Sequence, residues 1–506
     1  MKTARTILSA GLILAALVAA GATSPAFAAL SNTLGAGAKA TGYGGAFTAI
    51  ADDFSATYYN PAGLAAVKHR ELVSGWLFSN PSIAFSGPGG GSYDEVLSGL
   101  ILGNVFPFDI LGMKASFGIY NFWPKHGARI LKMKSSPIDF SGGSQGNSGA
   151  EISPGGPGVF LRFPRRKPAS IYLSSEQQQH LDFVTGLGLR INDHLYVGTG
   201  LRANIKILGD VNTDFIQTSK GGGTLAPTTK GASEFTGEIT SKPTFGWIIG
   251  GLIDTGKGLR IGGSWKQETD STFRQSIKSR STLPTTEELS VLIPVNGKLK
   301  LDTFWEPQEA TIGVAWDLGD RWTLSADFTW QDWSRYPGNE LRASFQSIQS
   351  FEVPPRQGQT GNGTIDFMPQ PRVRTHDIFI PRFGIQYQIK RVWRVRAGWA
   401  RIPSVVGDPK GGVGYPIRDV NKHIIGYVTD ESNLADSDKQ VFSFGMGLEQ
   451  DDPFNWFELP GTIDVTYQFV HVQGRGFHTL DTNNPLGNFH FGGDQWSLML
   501  TNTNRF

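Results

Sequence analysis

The chemistry in this chain lies in cations and carboxylates set singly among small polar residues. Arg382, Arg394 and Arg396 fall in two neighbouring stretches, with Arg202, Lys206, Arg260 and Lys266 elsewhere and Asp327 and Asp464 as acids. Guanidinium forks suit a carboxylate ligand. The other reading is internal: the arginines pair with Asp327, or with Asp52 and Asp53 near the N-terminus. Catalytic patterns are missing from the sequence. There is no Gly-x-x-x-x-Gly-Lys-Ser/Thr loop and no His-Glu-x-x-His pair, and the nine histidines show no partnered arrangement. Asp481 to His490 fails as a calcium loop because Leu486 stands where a glycine is needed. The absence of cysteine excludes disulfides, thiolate metal sites and a cysteine nucleophile. Neither an enzyme nor a cofactor or metal is expected.

The elements carrying these residues are stretches of about ten with strict alternation. In Arg321 to Gln331 the even positions are Trp322, Leu324, Ala326, Phe328 and Trp330, whereas the odd ones are polar. Successive strand residues point to opposite faces, so the segment separates an apolar medium from a hydrated or packed interior. The same pattern marks 382–389, 393–399, 441–448, 462–469 and 495–506 downstream. Upstream it marks 70–80, 96–105, 113–123, 179–190, 194–206, 244–253, 258–270 and 308–317. The count is fourteen, and the expected fold is all-β, a transmembrane antiparallel β-barrel. Trp247, Trp265, Trp316, Trp322, Trp330, Trp393, Trp399 and Trp496 lie on the apolar face, as in an aromatic girdle.

Composition agrees. Residues 1–28 have a basic start (Lys2, Arg5), an apolar run from Ile7 to Ala20 and the small-residue end Ala26-Phe27-Ala28, the pattern of a secretory signal peptide. No later run reaches the ~18 apolar residues of a spanning helix. Of 46 basic and 44 acidic residues, two basic ones leave with the signal, and a balanced chain gives no reason to expect nucleic acid. The 64 glycines and 11% aromatics, with 39% hydrophobic residues, suit strands that show lipid only at every second residue, and composition alone leaves a soluble multidomain β-protein open. Connections decide between them. Short turns such as Asn192-Asp193, Asp254 to Lys257, Leu318-Gly319-Asp320 and Lys390 alternate with long loops near 124–178, 207–243, 271–307, 333–379, 402–439 and 472–492. Bacterial outer-membrane barrels have short periplasmic turns and long outer loops, which puts both ends of the barrel in the periplasm.

Residues 29–69 do not alternate. The run Leu34 to Phe47 is dense in small residues, and Asn60-Pro61 forms a helix start, with Asn as cap and Pro at the first position. A compact segment ahead of a barrel too wide to be filled by its own side chains suggests a plug. Gly44-Gly45-Ala46, Ala51-Asp52-Asp53, Ser55-Ala56 and Asn60-Pro61-Ala62-Gly63-Leu64 together resemble the N-terminal hatch of the long-chain fatty acid outer-membrane transporter family, the FadL/TodX group. Asp327 to Ser334, Arg396-Ala397-Gly398-Trp399 and the closing aromatic strand resemble it too.

The resemblance implies a fourteen-stranded barrel (70–506) plugged by its hatch (29–69), carrying hydrophobic molecules passively across the outer membrane of a Gram-negative bacterium. The family's route runs from a groove between outer loops to a lumen pocket, then sideways beside an irregular third strand; Gly118 in Met113 to Trp123 is the candidate bend. Phe47, Phe54, Tyr58 and Tyr59 are expected as apolar substrate contacts, with Arg382, Arg394 and Arg396 for a headgroup and Asp52, Asp53, Asn60, Pro61, Ala62 and Gly63 as the hatch motif. Expected partners are a hydrophobic small molecule, outer-membrane lipid and the barrel-assembly machinery, with the chain as a monomer. A general diffusion porin, or a surface receptor or adhesin using the long loops, is the alternative.

Overall fold

A computed structural model describes residues 33–86, 91–93, 96–124, 134–135, 171–172, 180–206, 233–240, 244–269, 272–286, 289–302, 306–336, 342–345, 375–390, 392–406, 415–418, 424–428, 436–450, 459–477 and 489–506. The signal peptide and the calcium-like stretch up to residue 488 lie outside them.

Fourteen strands form the wall. They are β1 (Glu71–Ser86), β2 (Leu97–Ile110), β3 (Met113–Pro124), β4 (His180–Arg190), β5 (Leu195–Lys206), β6 (Thr244–Asp254) and β7 (Leu259–Lys266). After them come β8 (Glu309–Leu318), β9 (Trp322–Gln331), β10 (Ile378–Lys390), β11 (Trp393–Ile402), β12 (Lys439–Gln450), β13 (Leu459–Phe477) and β14 (Phe489–Arg505). Each pairs antiparallel with its sequence neighbours, and β1 pairs with both β2 and β14, which closes the barrel. Closure leaves no open edge, the condition for crossing a bilayer with strands. Among the described residues no helix is long and apolar enough to cross a membrane.

All fourteen expected strands are present, several of them longer than their alternation. β1 continues to Ser86 and β13 to Phe477, since pairing persists above the lipid where a greasy face is no longer needed. Nine more strands among the described residues lie between the wall strands. Four of them, Arg342–Phe345, Leu289–Asp302, Thr272–Thr286 and Ser233–Thr240, form a separate antiparallel sheet in that order. In sequence these regions read as loops, from their Gly, Ser, Pro and charge content.

The outward face is greasy. Trp247, Trp316, Trp322, Trp393 and Trp496 are exposed there, with Phe245, Ile312, Phe328, Phe383 and Phe444. The inward face packs two main clusters. One joins Val73, Leu77, Ile101, Val105, Tyr120 and Ile248 to residues 34–67. The other gathers Ile378, Ile380, Ala400, Ile402, Val441 and Val470 around Trp333 and Tyr336, which turn inward after β9. Trp333 is 2% exposed, and its indole N–H donates to Gln331 at 3.0 Å. Trp333→Ala should cost about 3–5 kcal/mol of barrel stability, read as a lower urea midpoint by far-UV circular dichroism in lipid vesicles.

Candidate functional site

The N-terminal segment folds into α1 (Ala38–Gly42), α2 (Ala56–Tyr59) and a 3-10 helix, Pro61–Ala66. It lies across the lumen: α1 touches β11 to β14, α2 touches β3 and β4, and the 3-10 helix touches β3 to β6. Asn60 organises the far half. Its Oδ1 accepts from the Ala62 amide at 3.2 Å, as the Asn-Pro pattern predicts, while Nδ2 donates to the Thr48 carbonyl at 2.8 Å and the Gly251 carbonyl at 3.0 Å. The wall makes room with glycine. A Cβ on Gly398 would overlap the Gly44 nitrogen, one on Gly250 would overlap Asn60, one on Gly198 the Ala62 nitrogen and one on Gly262 the Thr48 carbonyl. At Gly198, Gly262 and Gly398 backbone rests on backbone, an approach only glycine allows, and Gly250 makes room for the Asn60 side chain.

Asp327 holds the centre. Its Oδ2 accepts from the Phe47 and Thr48 amides, each at 3.0 Å, and those donors belong to residues 280 and 279 positions away. On the opposite side α1 is tied down by Thr466, whose hydroxyl donates to the Ala38 carbonyl at 2.6 Å. Burial pushes the Tyr43 and Tyr59 hydroxyls up, and Tyr59 accepts from the Ala36 amide at 3.2 Å. Burial also raises Asp53, aided by the charge of Asp52 and opposed by Lys39 and the Ser55 hydrogen bonds.

Above the segment lies a cavity with two unlike walls. Ala400, Ile402 and Val441 make an apolar wall; Arg202, Lys266, Glu306, Glu309, Asp327 and Arg382 make a charged one, and Tyr58 and Tyr59 line it from the segment. Cations and carboxylates there are equal in number. Arg202 pairs with Glu306 at 2.6 Å and Lys266 with Glu309 at 2.9 Å. Glu309 also accepts from Gln331 at 2.8 Å, and Lys266 sits 4.1 Å from the centre of the Tyr58 ring. Arg382 donates to the Thr329 hydroxyl and has no carboxylate within ion-pair distance among the described residues. At the outer rim, burial pushes Asp438 up. Hydrogen bonds from Arg401 and the Ser404 amide, with the charge of Arg401 and Lys439, outweigh this and hold it below the ordinary carboxylate range.

The residues singled out from sequence are therefore distributed unevenly. Tyr58, Tyr59 and Arg382 border the cavity. Phe47 and Phe54 are fully buried in protein, Phe47 against Tyr43 and Tyr59 and Phe54 against Tyr120. Arg396 pairs with Asp464 beneath Tyr43, and Arg394 with Glu449 at 2.7 Å. The suggested partners were Asp327, Asp52 and Asp53; instead Asp52 takes Lys39 at 2.6 Å, and the arginines take acids on the next strands. Gly118 marks no gap. β3 pairs with both neighbours without a register shift, and a Cβ at Gly118 would stand 2.5 Å from Thr57 Oγ1 and 2.7 Å from Leu64 Cδ2, so the glycine admits the segment. Glu306, Glu309, Gln331 and Trp333 were missed. The available signal was inward-facing polar residues at strand ends.

A closed barrel of fourteen antiparallel strands, with a lipid-facing aromatic belt and a half-charged lumen, is an outer-membrane channel. The chain belongs to the outer membrane protein transport protein family (OMPP1/FadL/TodX), which it matches over residues 158–434, more than half its length. It is 23% identical over 453 residues to the alkane uptake protein A of Marinobacter nauticus, covering 85% of this chain and 81% of that protein. In fold it is similar to a FadL homologue of Pseudomonas aeruginosa (13% identity, TM-score 0.54, 93% and 98% of the two chains). A similar likeness holds for the P. putida toluene transporter TodX (15%, TM-score 0.50, 94% and 99%). The protein is thus an outer-membrane transporter of hydrophobic molecules in a Gram-negative bacterium, and its family consists of transport channels rather than enzymes.

Gly398→Leu should unseat the segment and speed trypsin cleavage at Lys39 at least tenfold, while Gly251→Leu, with nothing within 4 Å of its Cβ, should leave cleavage unchanged. Asp327→Ala strands two buried amides at about 1–3 kcal/mol each. It should raise cleavage in the same assay, with the heat-modifiable mobility of the barrel retained.

Proposed function

We propose that residues 29–69 act as a hatch and that the barrel passes uncharged hydrocarbons, ahead of fatty acids, along the apolar wall of the cavity. The compensated charge of that cavity carries the reading. A fatty-acid carboxylate needs a cation to spare, and Arg202, Lys266, Arg394 and Arg396 are each committed to a carboxylate. Separating such a pair leaves a buried charge alone, at about 3–5 kcal/mol. A hydrocarbon asks for none of this. It gains about 25 cal/mol per Å² of apolar surface removed from water, and Ile402, Val441 and Ala400 offer that surface. Similarity to an alkane uptake protein supports the same cargo. Transfer is passive, from outer loops through the cavity and past the rim of the hatch. The hatch residues Asp52, Asp53, Asn60, Pro61, Ala62 and Gly63 act through local geometry, and Phe47 and Phe54 through packing.

One observation favours a second cargo: among the described residues, Arg382 lines the cavity with a hydroxyl and no carboxylate as partner. Uptake of radiolabelled hexadecane and palmitate by a deletion strain carrying the gene separates the two. Hexadecane uptake should be restored, and Arg382→Gln should leave it within twofold. Restoration of palmitate uptake alone, abolished by Arg382→Gln, would sink the hydrocarbon reading.

A further inference from the structure

The hairpin between β2 and β3 reaches past the periplasmic rim. The line of paired residues that starts at Glu71 runs through Val105, Gly118 and Gly186 and ends at Gln331 on β9. In an evenly sheared barrel the residues between this line and the rim should grow by about one per strand. β4 has four (Gly186 to Arg190) and β9 has nine (Gln331 to Trp322), as such growth requires. β2 and β3 have five each, Val105 to Ile110 and Gly118 to Met113, where about two and three are due. The surplus, roughly two to three residues, carries the tip about 7–10 Å beyond the rim. Pairing with β1 stops at Glu71 and Val105, and pairing with β4 at Leu189 and Ala115, so the tip has no strand beside it.

This hairpin keeps the pattern of a lipid-facing wall. Phe106, Phe108 and Ile110 continue the outward row of Leu100 and Leu102, and Phe108 and Ile110 are exposed. Leu111 at the tip is 91% exposed at φ +51°. A left-handed turn position favours Asn or Gly and disfavours leucine, so the turn itself gives no reason for Leu111. Other turns on this rim carry Asn192, Asp193 and Asp320. The Arg70 guanidinium lies 4.7 Å from the centre of the Phe106 ring, a cation placed where phospholipid phosphates would be.

We propose that the β2–β3 hairpin is inserted in the inner leaflet of the outer membrane as an extension of the lipid-facing wall, and that the barrel leans to admit it. Across a barrel about 25 Å wide, an offset of about 7–10 Å is taken up by a lean of roughly 15–20°. A phospholipid leaflet is the occupant because the outward row, broken by Asn104 alone, runs on from the wall that lipid covers.

The absence of cysteine makes the test direct. Leu111→Cys, Asp193→Cys and Asp320→Cys are reconstituted in phosphatidylethanolamine/phosphatidylglycerol nanodiscs, with folding checked by heat-modifiable mobility, and reacted with a membrane-impermeant maleimide. Residue 111 should react at least tenfold more slowly than 193 and 320, and a bimane there should be quenched by lipids with nitroxides near the acyl–headgroup boundary. Equal reaction rates, or a bimane quenched only by aqueous iodide, overturn the proposal. Protection in intact cells but not in nanodiscs also overturns it, assigning the hairpin to a periplasmic protein.

Discussion

Close approach of two backbones is the constraint on which the rest of this structure depends. The N-terminal segment rests on the inner wall at Gly198, Gly262 and Gly398, where any side chain would occupy the space its own main chain fills. That fit explains why a wide barrel is filled by a short segment made mostly of small residues. It also explains the segment's few polar anchors. Where side chains are missing, hydrogen bonds must come from the main chain, and Asp327, Asn60 and Thr466 each reach a main-chain group. Their energy is high because water is absent and an unmet amide has no other acceptor.

Charge in the lumen follows from the same closeness. Low-dielectric surroundings make a lone cation costly, so Arg202, Lys266, Arg394 and Arg396 are each matched by an acid on a nearby strand or in the loop above, whereas Arg382 meets the Thr329 hydroxyl. Arg396 and Asp464 lie beneath α1, Arg202 reaches Glu306, and Lys266 reaches Glu309. The pairs stiffen the wall where the segment bears on it. They also leave a passage whose polar side is largely paired within itself and whose other side is aliphatic.

Much of the wall was legible in the sequence, because lipid outside and packed interior inside impose a period of two on every strand. Trp322 to Trp330 shows it in five consecutive even positions. The separate sheet that includes Thr272–Thr286 was not legible, since Gly, Ser, Pro and charge in that region read as a loop and hid the alternation of Leu289, Val291, Ile293 and Val295. The Asn60-Pro61 cap was local and therefore readable. Partners of Arg394 and Arg396 were not, because register between distant strands decides them and alternation does not reveal register. Gly118 illustrates the same limit: glycine in a strand marks either a bend or a close neighbour, and only the neighbour, Leu64, distinguishes them.

The hydrogen bonds of Asn60 also bear on how the molecule is made. Its side chain grips the Gly251 carbonyl, 191 residues later in the chain, and the Phe47 amide waits for Asp327, 280 residues on. The segment therefore leaves the ribosome and crosses the periplasm long before its seat exists. It stays unsatisfied until β6 and β9 are in place, and contacts of such separation form slowly. The earliest part of the chain to be synthesised is among the last to settle, so a pause in biogenesis would leave an unfilled ring.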